Sequence, residues 1–183
     1  NLTNLKVLYL GRNSFIGEIS SNISNLLNLE WFWVGDNNLS GNLPNEIWNI
    51  PNLYEISVEN NNFTGIIPDF QEGQLINLNY LNLQNNNFES SIPESICLLE
   101  DLISLLGETY QWTSLGETWY YFNIENNNFC PDPITLDYPT CIADYIGTQN
   151  TENCEEVGLY SNNFFYPNNL PRNNIKDINK PLK

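Results

Sequence analysis

Apolar residues recur along the first hundred positions with a spacing that neither a single helix nor a single strand produces. Leu2, Leu5, Leu8 and Leu10 form one set, followed by Asn13 and Phe15. The set returns 24 residues later as Leu26, Leu29, Phe32, Val34, Asn37 and Leu39. It returns again as Ile50, Leu53, Ile56, Val58, Asn61 and Phe63, and then, after 25 residues, as Leu75, Leu78, Leu81, Leu83, Asn86 and Phe88. A fifth unit keeps only its middle: Trp119, Phe122, Ile124, Asn127 and Phe129. A self-similar period of 20–50 residues is the mark of a solenoid, in which each repeat buries its apolar face against its neighbours. Within each unit the alternation around the third and fourth apolar positions predicts a short strand with one buried face.

The polar positions carry as much information. The letters NNNF occur three times, at Asn60–Phe63, Asn85–Phe88 and Asn126–Phe129. The middle asparagine of each trio shares one repeat position with the others: Asn13, Asn37, Asn61, Asn86 and Asn127. An amide side chain carries two donors and an acceptor. At a turn leaving a strand it can satisfy backbone groups in its own coil and the next, so stacked coils would form an asparagine ladder. Phe15, Leu39, Phe63, Phe88 and Phe129 follow two residues later and would stack as an apolar spine. The flanking asparagines read as turn formers facing water.

These motifs, with "LSGNLP" and "FTGIIP" completing LxxLxxLxLxxNxLxGxIP, resemble the plant-type subclass of extracellular leucine-rich repeat proteins. Plant receptor ectodomains and polygalacturonase-inhibiting proteins carry the same signature. Residues 2–97 match it strongly and 116–130 moderately; Ser20 replaces its proline in the first unit and Ser90 its glycine in the fourth. The resemblance implies an α/β-type right-handed solenoid. Short parallel strands would line a concave face, turns or 3-10 segments the convex face, and a cysteine-bearing segment would cap the C-terminal end.

The expected organisation is four repeats over 1–97, an irregular insertion with the last repeat strand over 98–129, a cysteine-containing cap over 130–154 and an Asn/Pro-rich basic tail over 155–183. Asn1-Leu2 has no apolar cap before it, so either upstream repeats are missing, the favoured reading, or a partner covers that edge. "CLLEDLISLL" reads as a short helix with Leu98, Leu102 and Leu105 on one face, and "GETYQWTSLGETWYY" as a loop. The tail either floats free or docks through "FFYP", Phe164–Pro167, on the chain's own body or on a neighbour.

Charge and cysteines narrow the setting. Residues 1–154 hold 19 acids against Lys6 and Arg12 alone, so nucleic acid is repelled. Cys97, Cys130, Cys141 and Cys154 are even in number and lack CxxC pairs or histidine partners, which favours disulfides over zinc. Four cysteines allow three connectivities. The reading here is Cys97–Cys130 with Cys141–Cys154, the second clipping a short helix that starts near Cys141; the rival is Cys130–Cys141 with Cys97–Cys154. Disulfides place the chain in an oxidising exterior: secreted, at a cell surface or on a virion. No apolar stretch is long enough for direct membrane insertion. Four N-x-S/T sequons stand at Asn1, Asn22, Asn38 and Asn62.

Candidate chemistry points to recognition. The 183 residues contain no histidine, which excludes Ser-His and Cys-His nucleophilic systems. No cofactor or metal motif is present. Between the inward leucines, strand alternation directs Tyr9, Trp31, Trp33, Asp36, Glu55, Ser57, Glu59, Tyr80, Asn82, Gln84, Tyr121 and Asn123 outward on the concave face. Aromatic rings beside amides and carboxylates suit a protein, peptide or glycan ligand. A non-catalytic recognition module is therefore expected. The alternatives are a structural block of a cell envelope, filament or virion surface, assembled through coil ends and the tail 155–183, and, below that, an ice-binding face.

Overall fold

The computed structural model describes residues 2–112, 117–132, 137–152 and 154. The tail 155–183, with its Phe164–Pro167 anchor, and the sequon at Asn1 lie outside the described residues. Strands Val7–Tyr9, Trp31–Trp33, Glu55–Ser57, Tyr80–Asn82 and Phe122–Asn123 pair in parallel, in that order, as one five-stranded sheet. The register follows the repeat: Trp31 lies opposite Val7 and Glu55, and Leu81 opposite Ile56 and Phe122. The inward leucines of the interior coils, Leu29, Phe32, Leu53, Ile56, Leu78 and Leu81, have no exposed surface. Burying a side chain of this size contributes roughly 1.5–3 kcal/mol.

After each asparagine the chain forms a second set of short parallel strands. Ile16–Gly17, Asn38–Asn42 and Asn62–Thr64 make one sheet, and Glu89–Ser91 pairs with Asn128–Cys130. The coils then close through 3-10 helices Ser21–Asn25, Asn45–Asn49 and Glu94–Leu98. The two departures from the repeat consensus are both accommodated. Ser20 caps its 3-10 helix by accepting from the Asn22 backbone N–H. Ser90 adopts φ 71°, the left-handed region that Gly41 and Gly65 occupy in the other coils.

The middle asparagines are ladder rungs. Asn61 Nδ2 donates to Val58 O at 3.1 Å, Glu59 O at 3.1 Å and, one coil back, Val34 O at 3.0 Å. Its Oδ1 accepts from Leu39 N at 2.9 Å. Asn37, Asn86 and Asn127 repeat this pattern. Each reaches back to the preceding coil, not forward to the next. Asn13 donates only within its own coil, to Leu10 O and Gly11 O. Beside the ladder, Phe63, Phe88 and Phe129 are fully buried, with stacked centroids 6.5 and 6.2 Å apart. Phe15, at the first coil, remains 46% exposed. The first residue of each trio has its own role. Asn60, Asn85 and Asn126 take φ 53–55° and link in an exposed second column, Asn126 donating to Asn85, Asn85 to Asn60 and Asn60 to Asp36.

Three expectations need correction. First, the segment read as a loop is an antiparallel hairpin, Thr109–Trp112 against Glu117–Tyr120, because its alternating Tyr, Trp and Thr residues favour extended backbone. Second, the helix after Cys97 is one turn, Glu100–Ile103. It buries Leu99 and Leu102, while Leu98 ends the preceding 3-10 helix and is 45% exposed.

Third, the disulfides are Cys97–Cys141 and Cys130–Cys154, neither of the two pairings expected. Cys130 ends a strand in register with Ser91, whereas Cys97 lies beyond that strand, on the 3-10 helix Glu94–Leu98. The two are therefore on different sides of the coil. The cap instead carries Cys141 to Cys97, with Cα atoms 5.9 Å apart, and Cys154 to Cys130 at 5.6 Å. Non-reducing proteolysis and mass spectrometry should yield these two linked peptide pairs, and a 97–130 peptide would contradict the arrangement.

The ladder also continues past Asn127. Gln149 Nε2 donates to Ile124 O at 3.0 Å and Ile146 O at 2.8 Å, as a sixth rung would. Residue Asn127 bridges Gln149 in parallel. The longer side chain leaves Gln149 Oε1 buried without a hydrogen-bond partner.

Candidate functional site

The concave sheet presents three columns. The first runs Val7, Trp31, Glu55, Tyr80, Tyr121, and the second Tyr9, Trp33, Ser57, Asn82, Asn123. The third, just past the strands, is Gly11, Gly35, Glu59, Gln84, Glu125. The face is not uniform. Its first coils are aromatic: Tyr9 is 45% exposed, and Trp31 and Trp33 are half-buried. Tyr9 meets Trp33 edge-on at 5.7 Å, and Trp31 packs on Tyr54 at 6.1 Å. Its last coils are amide-rich: Asn123 Nδ2 donates to Gln84 Oε1 at 2.7 Å, and Tyr80 meets Tyr121 edge-on at 6.4 Å.

At the centre, expectation and structure part. Ser57, Glu59, Tyr80 and Asn82, expected outward on this face, are buried, at 0–3%. Adjacent coils crowd one another across a concave surface, so large neighbours close over small and mid-sized side chains. Asn82 spends its amide on the Tyr80 hydroxyl at 3.3 Å and on the Gln84 N–H at 3.2 Å. Glu55, Asp36, Gln84, Tyr121 and Asn123 remain partly exposed. Asp36 belongs as much to the outer column as to the sheet face, accepting from Asn60 and from Arg12 Nε at 3.4 Å.

Glu59 is the residue whose importance the repeat pattern does not signal. Its carboxylate accepts from Ser57 Oγ at 2.5 Å and from the Trp33 indole Nε1 at 3.0 Å. Burial raises its pKa, although the hydrogen bonds from Ser57, its own backbone and Trp33 act in the opposite direction and Asp36 adds a smaller upward push. Glu55 is pushed up to about 7, by burial first and by the Glu59 charge second. Two glycines make room for this arrangement. A Cβ on Gly35 would collide with Glu59 Oε1, and a Cβ on Gly11 would collide with the Trp33 ring. Arg12 sits over the same ring, its guanidinium 5.9 Å from the centroid.

Other candidates fall elsewhere. The sequon asparagines Asn22, Asn38 and Asn62 are exposed and away from the concave sheet, Asn22 on a 3-10 helix and the other two on the second sheet. Among the described residues no group of acids and cysteines is arranged to hold a metal ion, and no helix is long and apolar enough to cross a membrane.

The repeats match the Leucine Rich Repeat family at residues 4–26, 28–50, 52–72 and 77–99. No curated protein matches the sequence. Among solved structures, the chain is similar to the ectodomain of the plant membrane receptor kinase GASSHO1/SCHENGEN3 from Arabidopsis thaliana, in complex with Casparian strip integrity factor 2. That match has 26% identity and a TM-score of 0.60, covering 77% of this chain and 14% of the other. A plant peptide hormone receptor, RGFR1 in complex with RGF2, matches at 28% identity and TM-score 0.52, over 55% of this chain and 16% of that one. The Arabidopsis receptor kinase HAESA ectodomain, with a peptide hormone ligand, shares the fold at 24% identity and TM-score 0.62, over 79% and 20%. The chain thus spans a fifth or less of each of these structures.

Proposed function

We propose that this chain, a leucine-rich repeat protein, works outside the cell as a non-catalytic recognition module, binding a peptide or protein partner on its concave sheet. The observation that carries the reading is the aromatic cluster of the first coils. Tyr9, Trp31 and Trp33 keep ring surface in contact with solvent on one continuous face, where aromatic side chains contribute most per residue to binding. Of the similar structures above 25% identity, one is a peptide hormone receptor in complex with RGF2 and another an ectodomain in complex with Casparian strip integrity factor 2, which supports a peptide or protein ligand here. The two disulfides support an oxidising exterior. Their cap covers the last layer of the core, where Ile142 and Ile146 pack.

The test is capture of a partner from the native exterior by the full chain and by the Trp31→Ala/Trp33→Ala variant. Removing two aromatic anchors should weaken capture by about 1,000-fold, at roughly 2 kcal/mol each for such residues. Unchanged capture by the double variant would end the concave-face reading. Loss of capture on deleting 155–183 alone would move the contact to the tail and favour a structural assembly.

A further inference from the structure

The centre of the concave face contains an arrangement that folding alone does not require. A carboxylate buried to 1% exposure costs stability unless donors surround it, and an apolar residue of similar size is often neutral or better. Here the sequence supplies the donors, Ser57 Oγ and Trp33 Nε1, and leaves out two Cβ atoms, at Gly11 and Gly35, to make space. The glycines lie on consecutive coils in the column that later carries Glu59, Gln84 and Glu125. Each long side chain leans back over a glycine, Trp33 over Gly11 and Glu59 over Gly35. The indole is thereby held by four neighbours: Gly11 beneath it, the Arg12 guanidinium 5.9 Å from its centroid, Tyr9 against it edge-on at 5.7 Å, and Glu59 on its N–H.

We propose that Glu59 is the positioning residue of the recognition surface: seated over Gly35, it fixes the Trp33 indole as a preset platform against which a partner's planar or apolar group packs. The inference rests on the concave-face reading for its purpose, but the geometry it concerns exists without any partner. An aromatic anchor that is already ordered loses little side-chain freedom on binding, so more of its contact energy appears as affinity. The same contact ties the orientation of the platform to a titrating group. The charged and titratable groups on the elements around Glu59 and its indole are Tyr9, Arg12 and Asp36 on the two preceding coils, Glu55 on its own, and Tyr80, paired across from Glu55.

The test uses the full chain labelled with 5-fluorotryptophan, with no partner present, and follows the Trp33 resonance by fluorine NMR after assignment with Trp33→Phe. Glu59→Ala should displace that resonance by more than its linewidth. Glu59→Gln keeps an acceptor for the indole N–H and should restore it. Gly35→Ala, which leaves the carboxylate in the sequence but takes its space, should move the resonance as Glu59→Ala does. In the unmodified chain the resonance should titrate with a midpoint above the ordinary glutamate range; Glu55→Gln and Asp36→Asn should keep that titration and Glu59→Gln should lose it. A Trp33 resonance unmoved by both Glu59→Ala and Gly35→Ala, or a Glu59→Gln protein that titrates like the unmodified one, overturns the proposal. Failure of partner capture in the Trp31/Trp33 experiment would remove the concave-face reading while leaving these spectra to be decided separately.

Discussion

Asn61→Ala should lower the free energy of unfolding by about 4 kcal/mol in urea titrations, while Asn13→Ala should change it by less than about 1 kcal/mol. The two residues occupy the same repeat position and differ in what they satisfy. Asn61 is buried and serves three backbone carbonyls and one backbone N–H across two coils. Truncation strands the Leu39 N–H and removes one donor from each carbonyl, while Val34 O keeps Asn37, Val58 O keeps Asn86 and Glu59 O keeps the Asp36 N–H. The unsatisfied N–H costs roughly 1–3 kcal/mol and each lost carbonyl bond roughly 0.5–1.5 kcal/mol, with relaxation and entering water reducing the sum. Asn13 is exposed and donates to two carbonyls of its own coil. Water replaces those bonds at little cost. Against a typical total stability of about 5–15 kcal/mol, the Asn61 loss is large enough to unfold part of the solenoid near room temperature. Equal, small effects at both positions would mean that the amide column decorates the fold without supporting it.

Stability should also fall as pH rises from about 4.5 to about 7, and Glu55→Gln should remove a loss of roughly 3 kcal/mol from that window. The direction follows from proton counting. Burial, and secondarily Glu59, raise the folded pKa of Glu55 from 4.5 to about 7. Below 4.5 both folded and unfolded chains hold the proton, and nothing is lost. Between 4.5 and 7 the unfolded chain has released it and the folded chain has not, so each step up in pH favours unfolding. Above 7 both are ionised and the full penalty is in force. The remaining acids of a chain with net charge −16 repel one another more as they ionise, which gives a background slope of the same sign. The measurement is therefore the difference between the unmodified chain and Glu55→Gln in urea midpoints at pH 5 and pH 8. A Glu55→Gln protein with an unchanged slope would show that the charge at Glu55 is well solvated.

The coil itself is legible because its geometry is periodic. A leucine every third or second position, an asparagine three residues on and an aromatic two beyond it can each be counted. The parallel register of Trp31 with Val7 and Glu55 follows from a 24-residue offset. What escapes is whatever depends on size and crowding. Strand alternation gives the outward direction of Ser57 and Asn82, but not that their neighbours would close over them. The depth of Glu59 depends on the missing Cβ of Gly35, one coil away, and the two residues share no local motif. Gln149 takes an asparagine's place in the ladder, yet its coil lacks the leucine spacing that flags the other rungs. The disulfides escape for a similar reason. Their pairing depends on how the cap folds back over the last coil, and Cys97 reaches 44 residues along the chain to Cys141.

The hairpin at Thr109–Tyr120 stretches the distance between consecutive rungs from 24 or 25 residues to 41, yet Asn127 bonds Leu83 O at 2.9 Å and Phe88 N at 3.0 Å as any other rung does. A stack of this kind tallies layers and is indifferent to chain length. New polypeptide can enter where one coil hands over to the next, grow a projection of its own and rejoin without shifting any rung above or below it. Such a scaffold gives natural variation a place to extend the molecule sideways while its lengthwise order stays untouched.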